Sequence, residues 1–330
     1  MIRRLALLAC IFTLCISAAS AFIRNTQAGL GCSPWPQCLA QQAEARGGSG
    51  MLRMAPSTTG PGEVDAVFVA RALHRISAVL VGLLALGIVL FGWSRLGASD
   101  RAAAAFALVD TVFLSWLGRY TPHDVPLVTI GNVLGGFALA AAFGWIAAGG
   151  TRAGQAATSG RMYLAWTALA LAGLQSALGV TIGARDAVGV CVRPLCLPQG
   201  PVDAAVFDPR VAQAIASAAD GQALHLAHRL LAIVVAVLVL LLALRSASRP
   251  GPRTASRSGS QTGGAASARR RPALGALACI LLLAPLGLAT AAGLLGPGGG
   301  TLHNVLAGTC FVLLAVAARP ASNHVGIDSH

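Results

Sequence analysis

Apolar residues run through the chain in long blocks broken by short polar connections. Eight blocks are long enough to cross a bilayer as helices, at roughly 5–23, 67–93, 102–118, 126–148, 161–184, 222–244, 273–294 and 301–318. Backbone groups in hydrocarbon must be paired within their own segment, so the predicted fold class is an all-α membrane protein with eight transmembrane helices.

The blocks repeat. After the first span comes Ala28-Gly-Leu-Gly-Cys32-Ser-Pro-Trp-Pro-Gln-Cys38, then His74-Arg75 early in the second. After the fifth comes Ala187-Val-Gly-Val-Cys191-Val-Arg-Pro-Leu-Cys196, then His228-Arg229 in the sixth. The fourth and eighth open alike, Thr129-Ile-Gly-Asn132-Val-Leu against Thr301-Leu-His303-Asn-Val-Leu, which reads as Asn132 standing where the later copy has His303. Two tandem, pseudo-symmetric four-helix bundles are expected, at 1–150 and 151–330. An even number of spans per copy makes them parallel repeats. Residues 1–21 also carry signal-peptide marks, Arg3-Arg4, an apolar core and Ala19-Ser20-Ala21, but the repeat needs this segment as a helix.

With 55% hydrophobic and 11% charged residues and a mean hydropathy of +0.71, a soluble domain is excluded. The net charge of +13 comes from arginine alone, because the chain has no lysine. Placing both termini in the cytoplasm of a bacterial-type inner membrane puts Arg3, Arg4, Arg95, Arg101, Arg152, Arg161, the arginine-rich 245–271 segment and Arg319 inside. Glu44, Glu63, Asp65, Asp186, Asp203, Asp208 and Asp220 then face outward. The 245–272 stretch reads as a flexible inner loop that meets anionic lipid, and nucleic acid is not an expected partner.

The polar positions at the outer ends of the even-numbered spans share one depth, where ionisable groups are costly and usually functional. Two imidazoles from facing helices hold a haem iron from both sides, and His228 with His303 fits that arrangement. Arg75 and Arg229 are rotated about 100° from their neighbouring histidines. They would reach the carboxylates at a haem edge, or else anchor each helix by snorkelling outward. His225, one turn before His228, is a supporting or carboxylate-binding group rather than an iron ligand. Asp110 and Gln175 are expected to bond across helices; His123, His324 and His330 are assigned no role.

Cys10, Cys15, Cys279 and Cys310 lie within spans and read as small buried hydrophobes. Cys32 with Cys38, and Cys191 with Cys196, lie in outer loops where disulfides form. Such bonds are structural or, where exposed and strained, redox-active.

Taken together, the Cys32-x-x-Trp-Pro-x-Cys38 loop, the two His-Arg motifs, the Gly118-Arg-Tyr-Thr exit of the third span and the Leu302-His303-Asn304 opening of the last resemble the haem A synthases of cytochrome oxidase assembly. The resemblance implies a haem b cofactor in the C-terminal half and substrate haem O in the N-terminal half, with His74 on its iron. The implied reaction oxidises the C8 methyl of haem O to a formyl group with water as the oxygen source. Implied partners are the haem O-producing farnesyltransferase, quinol or another electron carrier, and membrane lipid. Two positions depart from the family pattern: Arg71 replaces a glutamate three residues before the first His-Arg, and Asn132 replaces a histidine. The alternative function is a non-catalytic membrane haem b protein for quinol-linked electron transfer or haem delivery.

Overall fold

The computed structural model describes residues 1–26, 66–120, 125–149, 159–211, 214–247 and 262–320. Cys32, Cys38, His123, His324, His330 and residues 248–261 of the 245–272 stretch lie outside the described residues. Among the described residues eight helices are long and apolar enough to span a membrane: α1 Ile2–Arg24, α2 Ala66–Gly92, α3 Ala98–Tyr120, α4 Pro126–Ala147, α5 Ser159–Ala184, α6 Ala218–Ala247, α7 Thr262–Ala291 and α8 Gly296–Ala317. No strand occurs among the described residues.

All the helices but α4 begin earlier than apolar periodicity predicts, and at three of them the local reason is visible. For α6 the reason is a reciprocal cap: the Asp220 N–H donates to Ser217 Oγ at 3.2 Å, and that hydroxyl donates to Asp220 Oδ2 at 2.9 Å. In α8, Pro297 in the first turn suits a helix start, though the glycines around it mask the helix in sequence. The early start of α7, at Thr262, corrects the expected loop through 272; the alanine- and arginine-rich 265–271 run has high helix propensity. The loop reading is corrected at 245–247 as well, which α6 includes.

The helices close into two groups. In one, α1 packs on α2 and α4, and α3 packs on α2 and α4; in the other, α5 meets α6 and α8, and α7 meets α6 and α8. The groups share a seam in which α8 lies against both α1 and α4. Close approach there depends on small residues. A Cβ on Gly144 of α4 would stand 2.5 Å from Val312 of α8, and one on Gly308 of α8 would stand 3.0 Å from the Phe137 ring of α4. Phe137 and Phe311 fill the seam with ring centroids 5.1 Å apart. Large apolar side chains such as Phe68, Leu83, Val109 and Leu240 are exposed on the outside, as lipid contact requires.

One ion pair fastens the groups at the end away from the disulfide loop. Arg319, just past α8, pairs with Asp100 at the start of α3 at 2.7 Å, with side-chain exposures of 12% and 14%. The guanidinium also donates to the Trp145 carbonyl and lies 5.0 Å over the Trp145 ring. Removing one partner of so enclosed a pair strands the other, so Arg319→Leu should destabilise the protein by about 3–5 kcal/mol. The double variant Asp100→Leu/Arg319→Leu should recover most of that loss. Thermal unfolding in detergent checks both.

Candidate functional site

A cavity of about 630 Å³ lies among α5, α6, α7 and α8, with α1 and α4 closing one side. His225, His228 and Arg229 of α6, His303 of α8, Gln175 of α5 and Arg24 of α1 line it.

The two candidate iron ligands are seated alike. On α5 a glycine at 179 makes a notch for His228: a Cβ there would stand 3.1 Å from the ring's Cε1. The notch lets the imidazole reach backbone, and His228 Nδ1 lies 2.9 Å from the Gln175 carbonyl oxygen, one turn earlier on α5. A carbonyl only accepts, so Nδ1 carries the proton and Nε2 keeps its lone pair, the tautomer a metal ligand needs. On α7, Gly287 is the counterpart, with its hypothetical Cβ 3.1 Å from His303 Cε1, and the ring lies against Leu283, one turn earlier. Its Nδ1 is buried, and no hydrogen bond of ordinary geometry is seen for it among the described residues. Two imidazoles on opposite walls, each over a glycine notch, fit a planar group held between them.

His225 is placed differently. Its Nε2 donates to the Ala187 carbonyl at 2.8 Å, tying α6 to the loop after α5, which agrees with a supporting role.

That loop is built from the residues upward. Asp186 takes a left-handed conformation at φ 55, and the N–H groups of Asp186 and Ala187 donate to Gly183 and Ile182, closing α5 in a Schellman turn. Gly293 at φ 73 does the same for α7. Burial pushes the Asp186 carboxyl up. Arg185 donates to the Ala205 and Val206 carbonyls at 3.1 and 2.7 Å, and Asp220 accepts from the Asp203 N–H at 2.9 Å. On the exposed rim the Arg210 guanidinium holds the Asp208 carboxyl down at about 2. The Leu127 N–H donates to the Pro209 carbonyl at 2.8 Å, pinning the loop to α4.

Cys191 and Cys196 are joined by a disulfide within this loop. Arg229, expected at a ligand carboxylate, instead grips the disulfide turn. It donates to Cys191 Sγ at 3.1 Å, to the Cys191 carbonyl at 2.8 Å, to the Pro194 carbonyl at 2.9 Å and to the Arg193 carbonyl. Sequence position could not show this, because a guanidinium at a helix end reaches a loop as readily as a ligand.

The N-terminal candidates Arg71, His74, Arg75 and Asn132 do not line the cavity. His74 is partly buried, Arg71 is partly buried and Arg75 is exposed. The charges that act on His74 are those of Arg24 and Arg75. Asp110 is buried in α3, and its Oδ2 has no hydrogen-bond partner among the described residues, so the expected cross-helix bond is not made through that oxygen.

Helix continuity also changes the equivalence drawn for Asn132. Both α4 and α8 are unbroken through the shared pattern, and a one-residue slip would rotate a side chain by about 100°. Without a slip Thr129 aligns with Thr301, Asn132 with Asn304 and Gly136 with Gly308, and Gly131 takes the position of His303. Buried Leu117 of α3 occupies the adjacent space, 3.1 Å from a hypothetical Gly131 Cβ. Asn304 itself donates to the Ser17 carbonyl of α1 at 3.2 Å, a packing role.

The sequence model of the COX15-CtaA family, cytochrome oxidase assembly protein, matches residues 3–317. The chain belongs to this family. No curated protein matches the chain significantly. Membership agrees with the resemblance carried by the loop and His-Arg motifs, and places the eight-helix bundle in cytochrome oxidase assembly.

Proposed function

We propose that this family member is a haem A synthase-like oxidoreductase of the inner membrane, with haem b held in the α5–α8 cavity by His228 and His303. The observation that carries the reading is the matched seating of these two imidazoles over Gly179 and Gly287, on facing walls of one cavity. A bis-imidazole haem, when bound, supplies one-electron exchange. The chain's own residues do the rest. Gln175 sets the His228 tautomer, His225 and Arg229 hold the overlying loop, and the apolar walls exclude water.

Substrate haem O belongs, on this reading, in the N-terminal bundle with its iron on His74. Converting its C8 methyl to a formyl group with water releases electrons and protons in equal number, which a quinone-class or other carrier must take. Arg71, one turn before His74 on the same helix face, suits a substrate carboxylate. On this reading both termini lie in the cytoplasm, as the arginine distribution favours.

A second reading, a haem b protein without catalysis, is favoured by one feature: Gly131 and Asn132 leave His74 without an opposing imidazole. Extraction of pigments after expression beside a haem O-producing enzyme separates the two. Haem A in the extract is the expected result. Haem B alone, with haem O accumulating, would decide for the second reading.

A further inference from the structure

The first helix of the chain ends inside the cavity of the other bundle. Arg24 and Asn25, at the end of α1, line the α5–α8 cavity that His228 and His303 also line. Gly300 of α8 makes room for them: a Cβ there would stand 2.5 Å from Asn25 Nδ2, which donates to the Pro297 carbonyl at 3.4 Å. The hydrogen bond that Arg24 makes among the described residues runs from Nη1 to Ser20 Oγ at 3.0 Å. The two ion pairs among the described residues, Arg210–Asp208 and Arg319–Asp100, do not include it. Arg229, the other guanidinium on the wall, has both terminal nitrogens committed to the disulfide turn.

A cation on the wall of a largely apolar cavity, with most of its donors unused, is costly at membrane depth unless an anion meets it. Its planar fork matches a carboxylate. We propose that Arg24 binds a carboxylate of the ligand held in the α5–α8 cavity, so that the N-terminal bundle completes the C-terminal site while Arg229 serves the loop. The inference rests on the haem reading of that cavity, and the carboxylate meant is a haem propionate.

The test uses the purified full-length protein, reloaded with haem b or with haem b dimethyl ester, which keeps iron and ring but has no charged carboxylate. Wild type should hold haem b on the order of 30-fold more tightly than the ester, the effect of losing one enclosed charge pair. Arg24→Gln should lose most of that preference, Arg24→Lys should keep part of it, and Arg229→Gln should keep it. The midpoint potential of bound haem b should move to more negative values in Arg24→Gln, because loss of a nearby cation disfavours the added electron. Equal affinity of wild type for the two compounds overturns the proposal without recourse to any variant. So does a preference that survives Arg24→Gln or vanishes in Arg229→Gln. A wild-type protein that takes up neither compound with a bis-imidazole spectrum overturns the haem reading as well, and is a distinct result.

Discussion

His228→Ala and His303→Ala should each abolish the low-spin spectrum of haem in the purified protein, while His74→Ala leaves it largely intact. Each of the first two removes one of the imidazoles that face each other across the cavity. A haem left with a single imidazole becomes high-spin and exchanges far more readily. His225→Ala is the informative neighbour. Its ring lies one turn from His228, but its Nε2 is already used on the Ala187 carbonyl. It should therefore retain the low-spin signal and lose affinity by the 10- to 100-fold or so typical of supporting residues at metal sites. Optical and paramagnetic resonance spectra of the four variants check this. Unchanged spectra in His228→Ala or His303→Ala would refute the ligand assignment.

The second large effect is expected from residues that carry no chemistry at all. Gly179→Val and Gly287→Val should each displace the imidazole that rests on the notch, since even a Cβ would come within 3.1 Å of the ring. The ring would lose its approach to backbone as well as its position, and a ligand misplaced by a fraction of an ångström no longer supports the intended coordination. Low-spin haem content should fall at least about tenfold in each, on the scale of losing supporting contacts. Gly87→Ala is the contrasting change. It lies within α2, away from the cavity lining, and nothing stands within 4 Å of a Cβ there. It should bind haem normally and gain about 0.5–1 kcal/mol from the better helix former. Haem content per protein and thermal unfolding separate the two classes. Equal haem content in Gly179→Val and Gly87→Ala would remove the notch from the account.

The spans were legible because membrane helices declare themselves by length and apolarity, and only α7 departed far from its predicted limits. Its first turns are polar, so periodicity ends where the membrane does and the helix does not. The histidines were legible through repetition: two His-Arg pairs behind two cysteine loops, with His303 as a third element. The partners of those histidines were not. Gln175 contributes a backbone carbonyl, which any residue could supply, and Gly179 and Gly287 are two glycines among 39. Arg24 stood outside every motif, at the end of a helix assigned to the other half. Arg229 was singled out, but its partners are carbonyls of a loop whose path cannot be deduced from spacing. The counterpart of His303 turned on a single residue of register, which an unbroken helix decides and a loosely matched pattern does not.

The seam of α8 against α1 and α4 has a consequence for how the molecule comes into being. Chains are made and inserted from the N-terminus, so α1 and α4 are in the membrane before α5 to α8 arrive, and one side of the cavity precedes the rest. The last helix to emerge carries His303 and, just beyond it, Arg319, which reaches back to Asp100 near the start of α3. A nascent protein halted after α6 but before residue 296 would thus present His228 and Arg24 to an open groove without the opposing nitrogen. Cofactor retention would then report complete synthesis, with the clamp at one end of α8 and the imidazole toward the other closing together.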